Sequence, residues 1–170
     1  MVDARTMSYD VGPKIGLLGG DITSDLVNTP RLRGYERAMR EMRLEPHIAH
    51  GNSLYESAPT ALATLLAREP ALTAIFALSD EMAAATVNEL QRQGRRVPED
   101  ISVLGFDNTR TAVHVQPALT TVAQPLRKMG ELAVERLLGT GPSTRVLDHR
   151  IVERGSVHGA VRDPQVTPRH

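Results

Sequence analysis

Along the chain, short apolar runs bounded by Gly, Pro and Asp alternate with longer stretches in which apolar residues recur every three or four positions. The first pattern predicts buried strands and the second amphipathic helices, so their alternation predicts an α/β fold, a parallel sheet flanked by helices. Four strand–helix units can be read. Residues 14–19 (KIGLLG) are the first strand, followed by a polar loop and a helix over 30–43 in which Leu32, Tyr35, Met39 and Met42 share one face. Pro46 ends that helix region. Residues 47–50 are a short second strand, and 57–68 a helix with Leu62, Leu65 and Leu66 inward, terminated near Pro70. The third strand covers 71–78 and is closed by Ser79-Asp80, where Asp80 is placed to accept from a first-turn amide and start a helix over 81–93. Gly94 and Pro98 are stop signals, and 101–106 is the fourth strand, with Asp107 where it ends. Right-handed crossovers bring all strand C-termini to one rim. In open α/β sheets that rim faces the ligand crevice, so a carboxylate at Asp107 reads as a site residue.

After Asp107 the pattern changes. Residues 109–116 are polar and irregular, 118–124 (ALTTVAQ) are a β-branched run, and Pro125 opens a helix over 126–138 ended by Gly139. Residues 146–157 alternate like a last strand. The ends, 1–13 and 159–170, lack apolar periodicity and are expected to be disordered tails. There is no internal repeat and no low-complexity tract.

Composition narrows the function classes. With 170 residues and 41% hydrophobic content the chain can bury one core of ordinary size. Lys plus Arg and Asp plus Glu balance at 20 each, which leaves no electrostatic footprint for nucleic acid or an anionic membrane. Any DNA role is therefore expected outside this chain. The absence of cysteine excludes disulfides, thiolate zinc sites and a cysteine nucleophile. No apolar run approaches the roughly 20 residues that span a bilayer, and the first twelve residues show no signal-peptide core, which predicts a cytoplasmic location. Five aromatics (Tyr9, Tyr35, Tyr55, Phe76, Phe106) leave little for base stacking.

A series of motifs in order carries a resemblance: Arg31-Leu32-Arg33-Gly34-Tyr35, Ile75-Phe76-Ala77-Leu78-Ser79-Asp80, Arg96-Val97-Pro98-Glu99-Asp100-Ile101-Ser102-Val103-Leu104-Gly105-Phe106-Asp107, Pro117-Ala118-Leu119-Thr120-Thr121-Val122 and Glu153-Arg154-Gly155-Ser156. Over about 14–157 the chain resembles the effector-binding core of LacI/GalR-family transcriptional regulators. The resemblance covers only the latter half of such a regulator. Its helix-turn-helix, hinge helix and most of its first core subdomain have no counterpart here. It implies a periplasmic-binding-protein-like type I subdomain at 14–117 and 144–158, with 118–143 as the crossover strand and helix of an incomplete partner subdomain. Sugars or purines bind between the two subdomains of the family. Without the partner's sheet, the helix face of Met129, Leu132, Ala133 and Leu137 is expected to self-associate, giving a homodimer. The expected partner is otherwise a small polar effector, with DNA reached only through a helix-turn-helix absent from this chain, and with no membrane, metal or cofactor.

The resemblance and the chemistry single out four effector-binding candidates. Arg31 is a planar, permanently charged fork near a helix start, suited to two hydroxyls or a carboxylate, and matches the family's effector-contacting arginine. Taken alone it reads as a solvated surface residue; Gly34 three residues on, as in the family, reverses that preference. Asp107 can accept from adjacent sugar hydroxyls or cap the turn Asp107-Asn108-Thr109, and both roles are compatible. Ser79 stands where most members have asparagine, a shorter hydroxyl in place of an amide. Gln124 occupies a crossover position that can reach the cleft. Ser53 lies near where many sugar-responsive members place a stacking aromatic, a place Tyr55 reaches only if its loop is displaced.

Other features read as structural. His47 and His50 fall on opposite faces of a strand, unsuited to a shared metal. Gly19-Gly20-Asp21 lacks the glycine spacing and lysine of a phosphate loop and reads as a cleft-lining turn. Arg92, Arg95 and Arg96 cluster at a helix end, where the dipole favours cations. A solute-binding protein of the same fold is the alternative function. Catalysis is not expected, since no nucleophile–base constellation is present.

Overall fold

The computed structural model describes residues 13–19, 28–140 and 145–158. Among the described residues six strands form one sheet: β1 (Ile15–Gly19), β2 (His47–His50), β3 (Ala74–Ala77), β4 (Ser102–Asp107), β5 (Thr120–Ala123) and β6 (Arg150–Val152), in the order β2-β1-β3-β4-β5-β6. The first five run parallel, and β6 returns antiparallel along β5. The helices are α1 (Asn28–Glu41), α2 (Ala58–Arg68), α3 (Asp80–Arg92), the single turn α4 (Thr111–His114) and α5 (Leu126–Leu137). Because β2 lies on one side of β1 and β3 on the other, the strand order reverses between β1 and β3, and a crevice opens beyond the strand ends there.

Strand alternation gives the sheet two apolar faces. Leu18, Ile75, Ala77 and Val103 meet Leu62 and Leu65 of α2 and Met82, Val87 and Leu90 of α3 in a buried apolar core. Burying each of the leucines contributes roughly 1.5–3 kcal/mol. On the other face Leu17 and Leu78 pack with Tyr35 and Met39 of α1, with Ile15, Ile48, Phe76, Leu32 and Leu44 alongside. The buried Tyr35 hydroxyl donates to the Ile15 carbonyl at 2.7 Å and accepts from the His47 amide at 3.0 Å, pinning α1 across two strands. Burial raises its pKa.

Several expectations are corrected. Met42 does not share the inward face of α1 and is 63% exposed. The helix stops at Glu41, Arg43 turns at φ 56°, the Leu44 amide donates to the Met39 carbonyl at 2.8 Å, and Leu44, partly buried, packs against the cluster. The third strand is shorter than 71–78, beginning only at Ala74. The polar stretch after Asp107 contains α4, whose Ala112 is fully buried. The strand within 118–143 does not belong to a separate subdomain: β5 pairs with β4 from Leu104↔Thr120 to Asp107↔Ala123. Only three residues of 146–157 form a strand, and it breaks the parallel pattern.

Beyond β5 the chain leaves this core. None of the residues of α5 is buried, and Leu137 is 85% exposed. After β6 the chain is stitched back: the Ser156 hydroxyl donates to the Val103 carbonyl at 2.6 Å and accepts from the Thr120 amide at 2.9 Å. The expected tails, and the Gly20-Asp21 part of the cleft turn, lie outside the described residues.

Candidate functional site

The strand-end rim beyond β3, β4 and β5 gathers three of the four candidates into one polar cluster. α1 starts at Asn28, two residues before the predicted Pro30, and Arg31 is its fourth residue, in the first turn. The Arg31 guanidinium lies 3.9 Å over the Phe106 ring, a cation–π geometry. One Nη donates to the Leu78 carbonyl at the end of β3 at 2.5 Å, and the other to Asp107 Oδ1 at the end of β4 at 3.1 Å. Gln124, just past β5, donates its amide to the same Asp107 oxygen at 2.5 Å. A guanidinium carries five N–H donors, and these contacts use two of them.

The cluster is partly dehydrated. The Arg31 and Asp107 side chains keep 14% and 25% of their accessible surface. Burial pushes the Asp107 carboxyl above the ordinary aspartate value; the Arg31 charge and the Gln124 hydrogen bond pull it back without offsetting this, and the Asp80 carboxylate adds to the rise. A cation held over an aromatic ring beside a partly dehydrated carboxylate is a fixed donor–acceptor pair. It suits a ligand carrying adjacent hydroxyls, which donate to the carboxylate and accept from the guanidinium.

Ser79 lies beside this cluster but is otherwise engaged. Its hydroxyl donates to the Ser53 carbonyl at 2.9 Å and accepts from the Met82 amide at 3.2 Å, so it is the cap of α3. The expected cap, Asp80, is instead the first residue of the helix and is 1% exposed. Its Oδ1 accepts from the Thr121 hydroxyl at 2.6 Å and its Oδ2 from the Thr109 amide at 2.6 Å. The helix starts one residue earlier than the pattern indicated, which turns Asp80 from the helix end into the sheet.

Tyr55 does not substitute for an aromatic near Ser53. Its hydroxyl accepts from Asn88 at 2.7 Å, two turns along α3 and off the rim. The aromatic at the site is Phe106, which sequence reasoning passed over although strand alternation sets it on the α1 face with Phe76. Among the described residues no group of three or more His, Asp or Glu is placed to hold a metal ion.

The chain is similar to known proteins over most of its length. It is 36% identical over 164 residues to the transcriptional repressor CytR of Escherichia coli (strain K12), covering 91% of this chain and 48% of CytR. It superposes on the transcriptional regulator CelR in complex with cellobiose with a TM-score of 0.74 at 36% identity, covering 84% of this chain and 46% of CelR. For a dimeric Lac repressor the TM-score is 0.78 at 28% identity, covering 85% and 55%. The chain thus spans about half the length of the curated relatives it matches. Residues 13–157 match the periplasmic binding protein-like domain, and on that match, with the relatives above, the chain belongs to this domain family in the form found in LacI-type regulators.

Proposed function

We propose that this chain is the effector-binding portion of a LacI-type transcriptional regulator, taking a small polar molecule, a sugar or a purine-like compound, at Arg31, Asp107 and Gln124. The observation that carries this reading is the Arg31 guanidinium placed over the Phe106 ring and held by the Leu78 carbonyl and Asp107 beyond the ends of β3 and β4. The cellobiose complex of CelR supports a sugar as effector. Ser79 then serves the site indirectly, by fixing the start of α3 beside it.

The balanced charge of the chain and its similarity to an HTH-type repressor support DNA contact through a helix-turn-helix outside it. Closure of the receptor around its effector then shifts that reader's affinity. A second copy covering the exposed apolar face of α5 is the proposed homodimer, and a cytoplasmic location follows from the regulatory role. The similarity to repressors favours this reading over a solute-binding protein, and over catalysis.

A thermal-shift panel of mono- and disaccharides, nucleosides and purines on the full chain tests the reading. A ligand of the native state raises the melting temperature by mass action, and Arg31→Ala abolishes the rise. A panel without a single stabilising compound would overturn it.

A further inference from the structure

We propose that Arg154 is a positioning residue for the effector site, fixing the turn that presents Asp107 and tethering that turn to the chain segment returning from α5. The proposal rests on the reading of Arg31, Asp107 and Gln124 as the ligand-contacting set.

Asp107 and Asn108 are consecutive non-glycine residues with φ of 105° and 58°. A φ of 105° is strained for any non-glycine residue, and the pair persists where the surroundings hold it. Two clamps do so here. On the sheet side, buried Asp80 holds the next residue, accepting from the Thr109 amide at 2.6 Å and from its hydroxyl at 3.1 Å. On the other side, one Arg154 Nη donates to the Asn108 side-chain oxygen at 2.7 Å while the second donates to the Leu119 carbonyl at 2.7 Å. The Arg154 amide adds a bond to the Thr120 hydroxyl at 2.9 Å.

The two clamps differ in origin. Asp80 belongs to α3 and the core, whereas Arg154 lies two residues past β6, on the segment that returns from α5. The fork of Arg154 bridges the start of β5 and the turn at the end of β4. A displacement of the returning segment is therefore felt at Asn108, and through it at the carboxylate facing Arg31 and Gln124.

The test follows the Asp107 side-chain carboxyl by carbon NMR as pH is varied, on the full chain and without ligand, so its outcome is independent of whether an effector is found. In the parent chain the carboxyl titrates above the ordinary aspartate value. In Arg154→Gln the turn relaxes and the titration moves down toward that value. Adding Asn108→Gly restores the raised titration, because glycine adopts a φ of 58° unaided. A lowered melting temperature with the Asp107 titration unchanged in Arg154→Gln overturns the proposal, as does a shift that Asn108→Gly leaves in place. Should Arg154→Gln fail to fold, Asn108→Ala and Asn108→Gly decide: the alanine variant is expected to lose the raised titration and the glycine variant to keep it, and identical behaviour of the two overturns the proposal.

Discussion

Asp80 and Gly105 are built for each other: a Cβ at position 105 would lie 2.5 Å from Oδ1 of Asp80, the oxygen that accepts from Thr121. The glycine lets a buried carboxylate from α3 lie against the backbone of β4 and reach β5 beyond it. That carboxylate in turn holds Thr109, and so the turn bearing Asp107.

Gly105→Ala is expected to destabilise the fold by about 1–3 kcal/mol, the usual cost of overpacking, because both the Asp80 oxygen and Ala83 at 3.4 Å oppose the new methyl. Urea unfolding measures it. A variant as stable as the parent would mean that Asp80 moves freely, and the clamp on Thr109 would lose its basis.

Leu62 and Leu137 are the same residue type in opposite settings, 0% and 85% exposed. Leu62→Ala leaves a cavity between α2 and the sheet and is expected to cost about 2–5 kcal/mol. Leu137→Glu is expected to leave unfolding within about 0.5 kcal/mol of the parent, as a surface change. Its effect falls on association: sedimentation velocity should show the parent chain self-associating and Leu137→Glu, combined with Met129→Glu, monomeric. A parent chain that stays monomeric at high concentration removes α5 as the dimer surface.

Much of this was legible in the sequence because the governing signals are local. The four strand–helix units follow from apolar period and from stop signals such as Gly94, which adopts φ 77° as a helix terminator. Arg31, Asp107 and Gln124 come together because each stands at an element end, and parallel strands put those ends on one rim. What was not legible depends on tertiary choices. Ser79 and Asp80 are both competent helix caps, and the cap falls to Ser79 because Thr109 and Thr121 offer Asp80 buried donors from distant segments. Phe106 reads as core until Arg31 is laid across it. The pairing of β5 with β4 rather than with a second sheet is a contact between segments that periodicity alone does not assign.

Two aspartates give stability pH dependences of opposite sign. Burial raises the Asp107 pKa, so the folded chain holds that proton more tightly than the unfolded chain. Its contribution is present in full below the ordinary aspartate value and is lost as pH rises through the raised one. Arg96 lowers Asp100 from 3.8 to about 2, so its contribution is present above the ordinary value and lost as pH falls through about 2. Asp107→Asn removes the first dependence and keeps the second. Unfolding of parent and variant at stepped pH should give a stability difference that changes in the parent's disfavour as pH rises just above the ordinary aspartate range; a difference independent of pH there would count against a dehydrated Asp107. The Asp100 limb should flatten in high salt, since that pair is exposed.

Arg31 is the sharpest test of the site because its geometry needs a plane and a fork as well as a charge. The guanidinium carbon lies 3.9 Å over the Phe106 ring centre while two of its nitrogens reach acceptors at the ends of different strands, the Leu78 carbonyl and Asp107. A lysine ammonium is a compact point charge that cannot present this fork or lie flat on the ring. Arg31→Lys is therefore expected to weaken a ligand found in the thermal-shift panel nearly as much as Arg31→Ala does, by about 2 kcal/mol, roughly thirty-fold in affinity. Titration calorimetry with that compound makes the comparison. If lysine restores the parent affinity, charge alone suffices, and the planar donor set must be abandoned as the basis of recognition.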